Sequence, residues 1–397
     1  MANLFPTQAS DAAVAPQRDR GGGDWRDLDW ILLIAAFALS LMGSLLVWSA
    51  SRADLASESD PQSYLKRHLI NIGVALVLGF IASRINYRLL RAYTPVVYMA
   101  SMILLLVPFV PGLGVTIAGA RAWIDVPFGL TIQPSEFAKI TVILMMAALL
   151  SERRDREEEP SAQDVLLALV VAAIPTAIIL VQNDTGTVLI LAAVSLSIVA
   201  VSGVPTRWLV GLIGAAILGV LASIQLGLLQ EYQVDRLTSF INPDADVSAS
   251  AYNANQARIA IGGGGLDGYG LFEGPQTQGN FVPVNESDFI FTVAGEELGF
   301  LGSALLIVLM AVILWRAVLI AWKADDLYGR LVATGVAAWL AFQMFENIGM
   351  TLGIMPITGI PLPFVSAGGT SMMATWIALG LLQTVRLHSL AVQRSEV

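Results

Sequence analysis

The stretch VPVNESDFIFTVAGEELGF, residues 282–300, lies where a long polar loop meets an apolar run of about 25 residues. A run of that length can cross a bilayer, whose hydrocarbon core requires about 20 residues of helix. One carboxylate, Asp288, occupies the junction. It can cap the helix that follows, because anions are favourable at helix N-termini. It can equally belong to a polar cavity, because ionisable groups at membrane spans are costly and usually functional.

Similar apolar runs recur along the 397 residues, of which 56% are hydrophobic and 13% charged, with a mean hydropathy of +0.70. Soluble domains carry about 25% charged residues. The composition therefore predicts an all-α polytopic membrane protein with ten transmembrane helices. We place the spans at about residues 30–49, 69–83, 93–112, 132–150, 165–181, 187–203, 208–227, 289–315, 331–352 and 368–387.

The basic residues predict the orientation of these spans, since cytoplasmic segments hold an excess of Lys and Arg. The loop 228–287, between the seventh and eighth helices, is expected to be extracellular and both termini cytoplasmic. We expect residues 1–28 to form a disordered cytoplasmic tail, residues 29–390 the transmembrane domain and residues 391–397 a short cytoplasmic tail. With this orientation, 15 of the 22 basic residues are cytoplasmic: Arg18, Arg20, Arg26, Arg84, Arg88, Arg91, Arg153, Arg154, Arg156, Arg207, Arg316, Lys323, Arg330, Arg386 and Arg394.

Composition also excludes several kinds of chemistry. The sequence contains no cysteine, which excludes thiol catalysis, disulfides and thiolate metal sites. Its two histidines, His68 and His388, are too few for a histidine-built metal centre. No basic stripe with interleaved aromatic residues indicates nucleic-acid binding. The triplet Asp184-Thr185-Gly186 resembles an aspartic-protease motif, but that chemistry needs two carboxylates sharing a proton and the triplet occurs once.

The motif QPSEFAK, residues 133–139, places two opposite charges inside a predicted span. Glu136 and Lys139 are three residues apart, so they share one helix face and can pair. Pro134 suits the first turn of that helix. The pair is either a structural ion pair or a group that orients a polar substrate.

Three further segments bring polar groups or irregular backbone to the external side. Asp184, in NDTGT, lies in a short external turn. The run IGGGGLDGYG, residues 261–270, offers either backbone amides for a pyrophosphate or glycines for close packing, and both interpretations stay open. The segment ITGIPLPFVSAGGTS, residues 357–371, predicts irregular backbone, which at membrane depth lines a cavity or is buried in protein. We expect the cavity to be supported by Arg121, Gln133, Asp184, Arg258 and Ser366.

Together the motifs QPSEFAK, NDTGT, IGGGGLDGYGLFEG, DFIFTVAGEELGF and NIGMTLGIMPITGIPLPFVSAGGTS resemble the SEDS family of cell-wall proteins, which includes RodA and FtsW. The resemblance extends over about residues 29–390 and is greater to RodA-like members. It implies ten transmembrane helices and polymerisation of lipid II into peptidoglycan glycan strands.

The same resemblance assigns the family's essential acid to Asp288 and its fourth-helix pair to Glu136 and Lys139. It implies an inverting peptidoglycan glycosyltransferase at the outer face of the bacterial cytoplasmic membrane, acting in cell elongation and shape. Two positions depart from the family pattern. Many relatives have a Lys where this chain has Tyr269, and a His-Thr dipeptide where this chain has Glu286 and Ser287. The alternatives are an FtsW-type division polymerase and a lipid II flippase without catalysis.

The same resemblance implies the substrates and the protein partners. The substrates would be lipid II and undecaprenyl-pyrophosphate-linked glycan, and the protein partners a class B penicillin-binding protein acting as transpeptidase and membrane proteins of the elongation complex. The loop 228–287 has seven acids against Arg236 and Arg258. A divalent cation, Mg²⁺ or Mn²⁺, would offset this excess beside a pyrophosphate. The sequence does not establish that one binds.

Overall fold

The computed structural model describes residues 25–52, 62–117, 119–126, 130–152, 160–227, 231–241 and 249–395. Most of the tail predicted at residues 1–28 therefore lies outside the described residues. The helices are α1 (Trp30–Arg52), α2 (Ser63–Ser83), α3 (Tyr87–Leu106), α4 (Pro134–Ser151), α5 (Ala162–Val181), α6 (Thr185–Val201), α7 (Arg207–Gln225), α8 (Glu231–Ile241), α9 (Ala249–Gly263), α10 (Pro275–Gln278), α11 (Ile290–Glu297), α12 (Gly299–Lys323), α13 (Leu327–Leu352) and α14 (Gly369–Ser395).

Eight of these helices are long and apolar enough to cross a membrane: α1 to α5, α7, α12 and α13. The prediction of a polytopic helical membrane protein is confirmed. The helix α6 is also apolar but has 17 residues, and α14 has 27 residues with a more polar C-terminal half. The count of ten spans stays a prediction, since it requires both of these helices to cross.

The connection between α3 and α4 contains a small sheet that the sequence did not lead us to expect. The strands β1 (Gly114–Ile117), β2 (Ala120–Val126) and β3 (Leu130–Ile132) form an antiparallel sheet in that order. Val115 pairs with Trp123, and Ile124 pairs with Ile132. β-Branched and aromatic residues of this kind favour extended backbone.

The helices α4 and α13 form the centre of the bundle. In their apolar windows 78% and 67% of the residues are buried, against none in α7. Elsewhere α2 packs closely on α14, because a Cβ at Gly380 would lie 2.3 Å from the Gly79 carbonyl oxygen. Glycines at such contacts allow helix backbones to approach in membranes.

The predicted span 289–315 is wrong as one continuous helix. The chain breaks between α11 and α12 at Gly299, which has φ +63°. A Cβ there would lie 2.3 Å from the Gly268 amide nitrogen, so the glycine-rich run packs directly against the break. The amides of Tyr269 and Gly270 donate to the carbonyls of Glu296 and Glu297. These contacts favour the packing interpretation of the run over an anion-binding nest.

Candidate active site

Asp288 lies in the turn that precedes α11. One of the two interpretations made it the cap of the following helix, but α11 begins at Ile290 and Phe289 is its N-cap residue, without a side-chain cap. The Asp288 carboxylate instead accepts a hydrogen bond from the Ser287 hydroxyl, with 2.9 Å between Oγ and Oδ1. The carboxylate is therefore not committed to the helix terminus and is available for another task.

Ser366 fixes the backbone of this turn. Its Oγ donates to the Ser287 carbonyl at 2.5 Å and accepts from the Leu362 amide at 2.7 Å. The next amide, of Ala367, donates to the Glu286 carbonyl at 2.9 Å. The irregular segment before α14 is thus tied to the residues on the N-terminal side of Asp288.

Two residues that sequence reasoning missed lie close to Asp288. Asn347 of α13 donates from Nδ2 to the carbonyls of Asp288 and Ile360, both at 2.7 Å. Gly359 has φ +74°, and a Cβ there would lie 3.2 Å from Asp288 Oδ2. The sequence did contain a signal for Asn347, because a polar amide side chain within an apolar helix usually has a structural or functional partner.

The surroundings also change the acidity of Asp288. Burial raises its pKa to about 6, and the carboxylates of Glu286 and Asp184 act in the same direction. The Ser287 hydrogen bond and the positive charge of Arg236 act in the opposite direction. A pKa slightly below neutrality leaves the carboxylate ionised at pH 7 while increasing its basicity, which suits a general base.

The Glu136–Lys139 pair lies inside the bundle, as predicted. Lys139 Nζ is 2.8 Å from Glu136 Oε1 and 3.3 Å from Gln343 Oε1, and both members of the pair are buried. The Nζ also lies 4.5 Å from the centre of the Trp339 ring. Gln343 in turn donates to the Pro361 carbonyl at 2.7 Å. The pair is thus connected through α13 to the segment that carries Gly359 and Ser366.

Asp184 and Gln133 come together beside this pair. Asp184 caps α6, accepting from the amide and hydroxyl of Thr187 at 3.1 and 2.8 Å. It also accepts from Gln133 Nε2 at 3.0 Å and from Ser135 Oγ at 3.1 Å. This half-buried carboxylate, with its several hydrogen bonds, joins the start of α4 to the start of α6.

The two predicted arginines lie in different places. The Arg121 guanidinium donates to the carbonyls of Pro108 and Phe109, so its hydrogen bonds in the described part of the chain attach β2 to the end of α3. Arg258 lines a small cleft with Arg236, and a Cβ at Gly353 would lie 3.2 Å from Arg258 Cδ. Of Arg121 and Arg258, it is Arg258 that borders the segment carrying Gly359 and Ser366, and Arg236 reaches the same segment by donating to the Thr358 carbonyl at 3.4 Å.

The two acids at the end of α11 have structural partners. Glu296 accepts from the amides of Gln276 and Thr277 at 2.7 and 2.8 Å, which caps α10. Glu297 accepts from Ser49 Oγ at 2.6 Å. Within the residues that the structure describes, no group of three or more His, Cys, Asp or Glu side chains is arranged to hold a metal ion.

The sequence matches the FtsW/RodA/SpoVE family of cell cycle proteins over residues 29–390. The chain belongs to this family. It is 34% identical over 371 residues to the peptidoglycan glycosyltransferase MrdB of Escherichia coli K12, covering 93% of this chain and 96% of MrdB. It is 35% identical over 360 residues to a probable peptidoglycan glycosyltransferase FtsW of Trichlorobacter lovleyi, covering 90% and 93%.

Solved structures of family relatives have the same fold. One is a chain of a peptidoglycan synthase complex that coordinates polymerization and crosslinking, with a TM-score of 0.76 and 31% identity over 92% of this chain and 99% of that one. Another is Thermus thermophilus RodA, with a TM-score of 0.66 and 29% identity over 91% and 97%. The family predicted from the motifs is confirmed.

Proposed function

We propose that this protein is a peptidoglycan glycosyltransferase that polymerises lipid II at the outer face of the bacterial cytoplasmic membrane. The observation that carries the proposal is the setting of Asp288. Its carboxylate accepts from Ser287 and has its pKa raised to about 6, while Asn347 and Ser366 bind the backbone carbonyls of Asp288 and Ser287. Relatives covering nearly the whole chain are named peptidoglycan glycosyltransferases. Both features suit an enzyme that must deprotonate a sugar hydroxyl.

In the proposed reaction, the 4-hydroxyl of the acceptor's GlcNAc attacks C1 of the donor's MurNAc. Asp288 accepts the hydroxyl proton while the bond from C1 to the pyrophosphate oxygen breaks. Undecaprenyl pyrophosphate leaves with the bonding electrons, and the configuration at C1 inverts. General base catalysis of this kind typically contributes about 10²- to 10⁴-fold in rate.

The remaining site residues would act by positioning. Lys139 is fully buried against Glu136, so we assign the pair to the support of the segment around Pro361 rather than to direct substrate contact. Arg258 and Arg236 line one cleft at the edge of the same segment and would face the anionic diphosphate. If Mg²⁺ or Mn²⁺ is also needed there, chelation by EDTA will lower the rate.

Purified protein incubated with lipid II tests this function. The expected result is a ladder of glycan strands on a gel, which requires no transpeptidase activity. Transfer of lipid II across proteoliposome membranes without any polymer would instead identify a flippase. The elongation role is tested by depletion in cells, where rounding supports an elongation enzyme and filamentation supports a division enzyme.

We also propose a class B penicillin-binding protein as partner. A Ser-x-x-Lys spacing does occur at Ser63–Lys66, but the S-D-N and K-T-G motifs that accompany it in penicillin-binding proteins are absent from this sequence. A family relative has been solved in a complex that combines polymerization with crosslinking. The pair should copurify, and the complex should polymerise lipid II faster than the single chain. No association across a wide excess of the partner would contradict this assignment.

A further inference from the structure

Glu346 is a buried acid of α13 that the proposed reaction does not use. Its side chain is fully buried, and neither carboxyl oxygen has a hydrogen-bond partner within the described residues. The buried acid of α4, Glu136, is by contrast paired with Lys139 at 2.8 Å. An acid within a membrane helix is costly and usually has a function. Glu346 therefore calls for a polar partner close by.

Thr358, in the irregular segment 353–368 between α13 and α14, offers such a partner. Its hydroxyl lies close enough to influence the Glu346 carboxyl, and its buried Oγ1 also has no hydrogen-bond partner in the described part of the chain. The Thr358 carbonyl is already occupied, since it accepts from Arg236 at 3.4 Å. A hydroxyl can donate and accept, so it can bond to a carboxyl group in either protonation state. Each of these two neighbouring groups thus lacks what the other offers.

A bond between them would extend an existing row of contacts from α13 to this segment. Gln343, Glu346 and Asn347 lie on one side of α13, because they are three and four positions apart. Gln343 donates to the Pro361 carbonyl and Asn347 to the Ile360 carbonyl, both at 2.7 Å. Glu346 would add a third contact, to the residue two positions before Ile360.

Gly359 connects this row to Asp288. It follows Thr358 directly, and a Cβ on it would lie 3.2 Å from Asp288 Oδ2. The next residue, Ile360, is held by α13, so an anchored Thr358 would fix Gly359 from its other side. We propose that Glu346 is a positioning residue, which bonds to Thr358 and so holds Gly359 against the Asp288 carboxylate. This assignment rests on the proposed role of Asp288 as the base.

The kinetics of lipid II polymerisation test the assignment. Glu346→Leu removes the polar group at similar size, whereas Glu346→Gln keeps a group that can bond to Thr358. Glu346→Leu should lower kcat about tenfold with KM unchanged, because positioning acts on the chemical step. Glu346→Gln should recover most of that loss. Thr358→Val should match Glu346→Leu, and the double variant should lose no more than either single change.

The pH profile of the rate separates positioning from a general loss of folding. Burial raises the pKa of Asp288 to about 6. The charged groups that act on it are Glu286, Asp184 and Arg236. Releasing Gly359 would admit water to the carboxylate, which lowers its pKa. The acidic inflection should therefore move to lower pH in Glu346→Leu and stay in place in Glu346→Gln. Both variants remove any charge at this position, so their comparison isolates the hydrogen bond.

Hydrogen exchange gives a readout that does not depend on polymerisation. The amides of residues 357–360 should exchange faster in Glu346→Leu and Thr358→Val than in the wild type. The matched control is Glu152→Leu, at an exposed glutamate that ends α4, and it should exchange at the wild-type rate.

The outcomes distinguish this assignment from the proposed function. A wild-type protein that makes no glycan would contradict the function, while hydrogen exchange would still test the contact between Glu346 and Thr358. Wild-type kcat, pH inflection and exchange in Glu346→Leu would overturn the assignment. Equal losses of rate in Glu346→Leu and Glu346→Gln would also overturn it, because the charge and not the hydrogen bond would then matter.

Discussion

At the residue scale, the proposed chemistry depends on how tightly Asp288 is held. Its side chain has one hydrogen bond from a neighbouring hydroxyl, and its carbonyl is bound by Asn347 at 2.7 Å. The preceding carbonyl is bound by Ser366. A base fixed in this manner needs little rearrangement when substrate arrives, and catalytic groups gain rate from such fixed geometry.

The raised pKa of Asp288 predicts a pH dependence for polymerisation. The base must be ionised, and its pKa is about 6. The initial rate should therefore be constant above pH 7 and fall about tenfold for each pH unit below 6. Ser287→Ala removes the hydrogen bond that lowers this pKa, so its inflection should move to higher pH. A wild-type rate that stays constant down to pH 5 would contradict the assignment of Asp288.

The Glu136–Lys139 pair predicts non-additive effects. Glu136→Gln or Lys139→Met alone leaves one buried group without its charged partner, which typically costs about 3 to 5 kcal/mol of stability. The double variant removes both charges and should cost less than the sum of the two single changes. Thermal unfolding and polymerisation rates of the wild type, the two single variants and the double variant measure this coupling. Strict additivity would show that the two residues act on separate groups.

At the scale of elements, α13 anchors the irregular segment 353–368 against the active site. Gln343 and Asn347 are one helical turn apart and bind the carbonyls of Pro361 and Ile360, both at 2.7 Å. The segment then places Gly359 against the Asp288 carboxylate. Backbone that is irregular at membrane depth is thus satisfied by side chains of a neighbouring helix.

Gly359→Ala tests whether this contact matters. The glycine has φ +74°, which is unfavourable for alanine, and the new methyl group would lie 3.2 Å from Asp288 Oδ2. Displacing the carboxylate should lower the polymerisation rate on the order of 10²-fold. The control is Gly73→Ala in α2, where a Cβ would meet nothing within 4 Å. Equal rates for the two variants would show that the Gly359 contact is incidental.

Features that depend on local composition could be predicted from the sequence. Features that depend on contacts between distant parts of the chain could not. Apolar runs predicted the polytopic fold, which is confirmed. Charges within or at the edge of those runs predicted Asp288, Glu136 and Lys139 as site residues, which stays a prediction. The break at Gly299 could not be predicted, because it depends on the approach of Gly268 from 31 positions earlier in the chain. Asn347 was missed for the same reason, since its two acceptors lie on separate segments.

At the scale of the whole molecule, the charged groups are divided between two ends. Asp29 accepts from Arg316 of α12 and Arg386 of α14, which joins the start of α1 to both helices at one end. Asp288 and the segment 353–368 lie at the other end, where α12 begins after the break and α13 finishes. If the basic end is cytoplasmic, as the distribution of Lys and Arg predicts, the reaction takes place outside the cell.

Cysteine labelling tests that orientation, because the chain contains no native cysteine. Leu266→Cys lies in the glycine-rich run and is 68% exposed in the native side chain. Asp325→Cys lies in the exposed connection between α12 and α13. An impermeant maleimide added to intact cells should label the first and not the second. The reverse pattern would invert the topology and place Asp288 inside the cell.

The most direct test of the central claim is the polymerisation rate of Asp288→Asn with purified lipid II. Asparagine keeps the shape of the side chain, its bond from Ser287 and the carbonyl bound by Asn347, so folding should be unchanged. The matched control is Asp125→Asn, an exposed aspartate on β2. The account predicts at least about a 10²-fold loss for Asp288→Asn and a wild-type rate for the control. A wild-type rate for Asp288→Asn would show that this carboxylate is not the base.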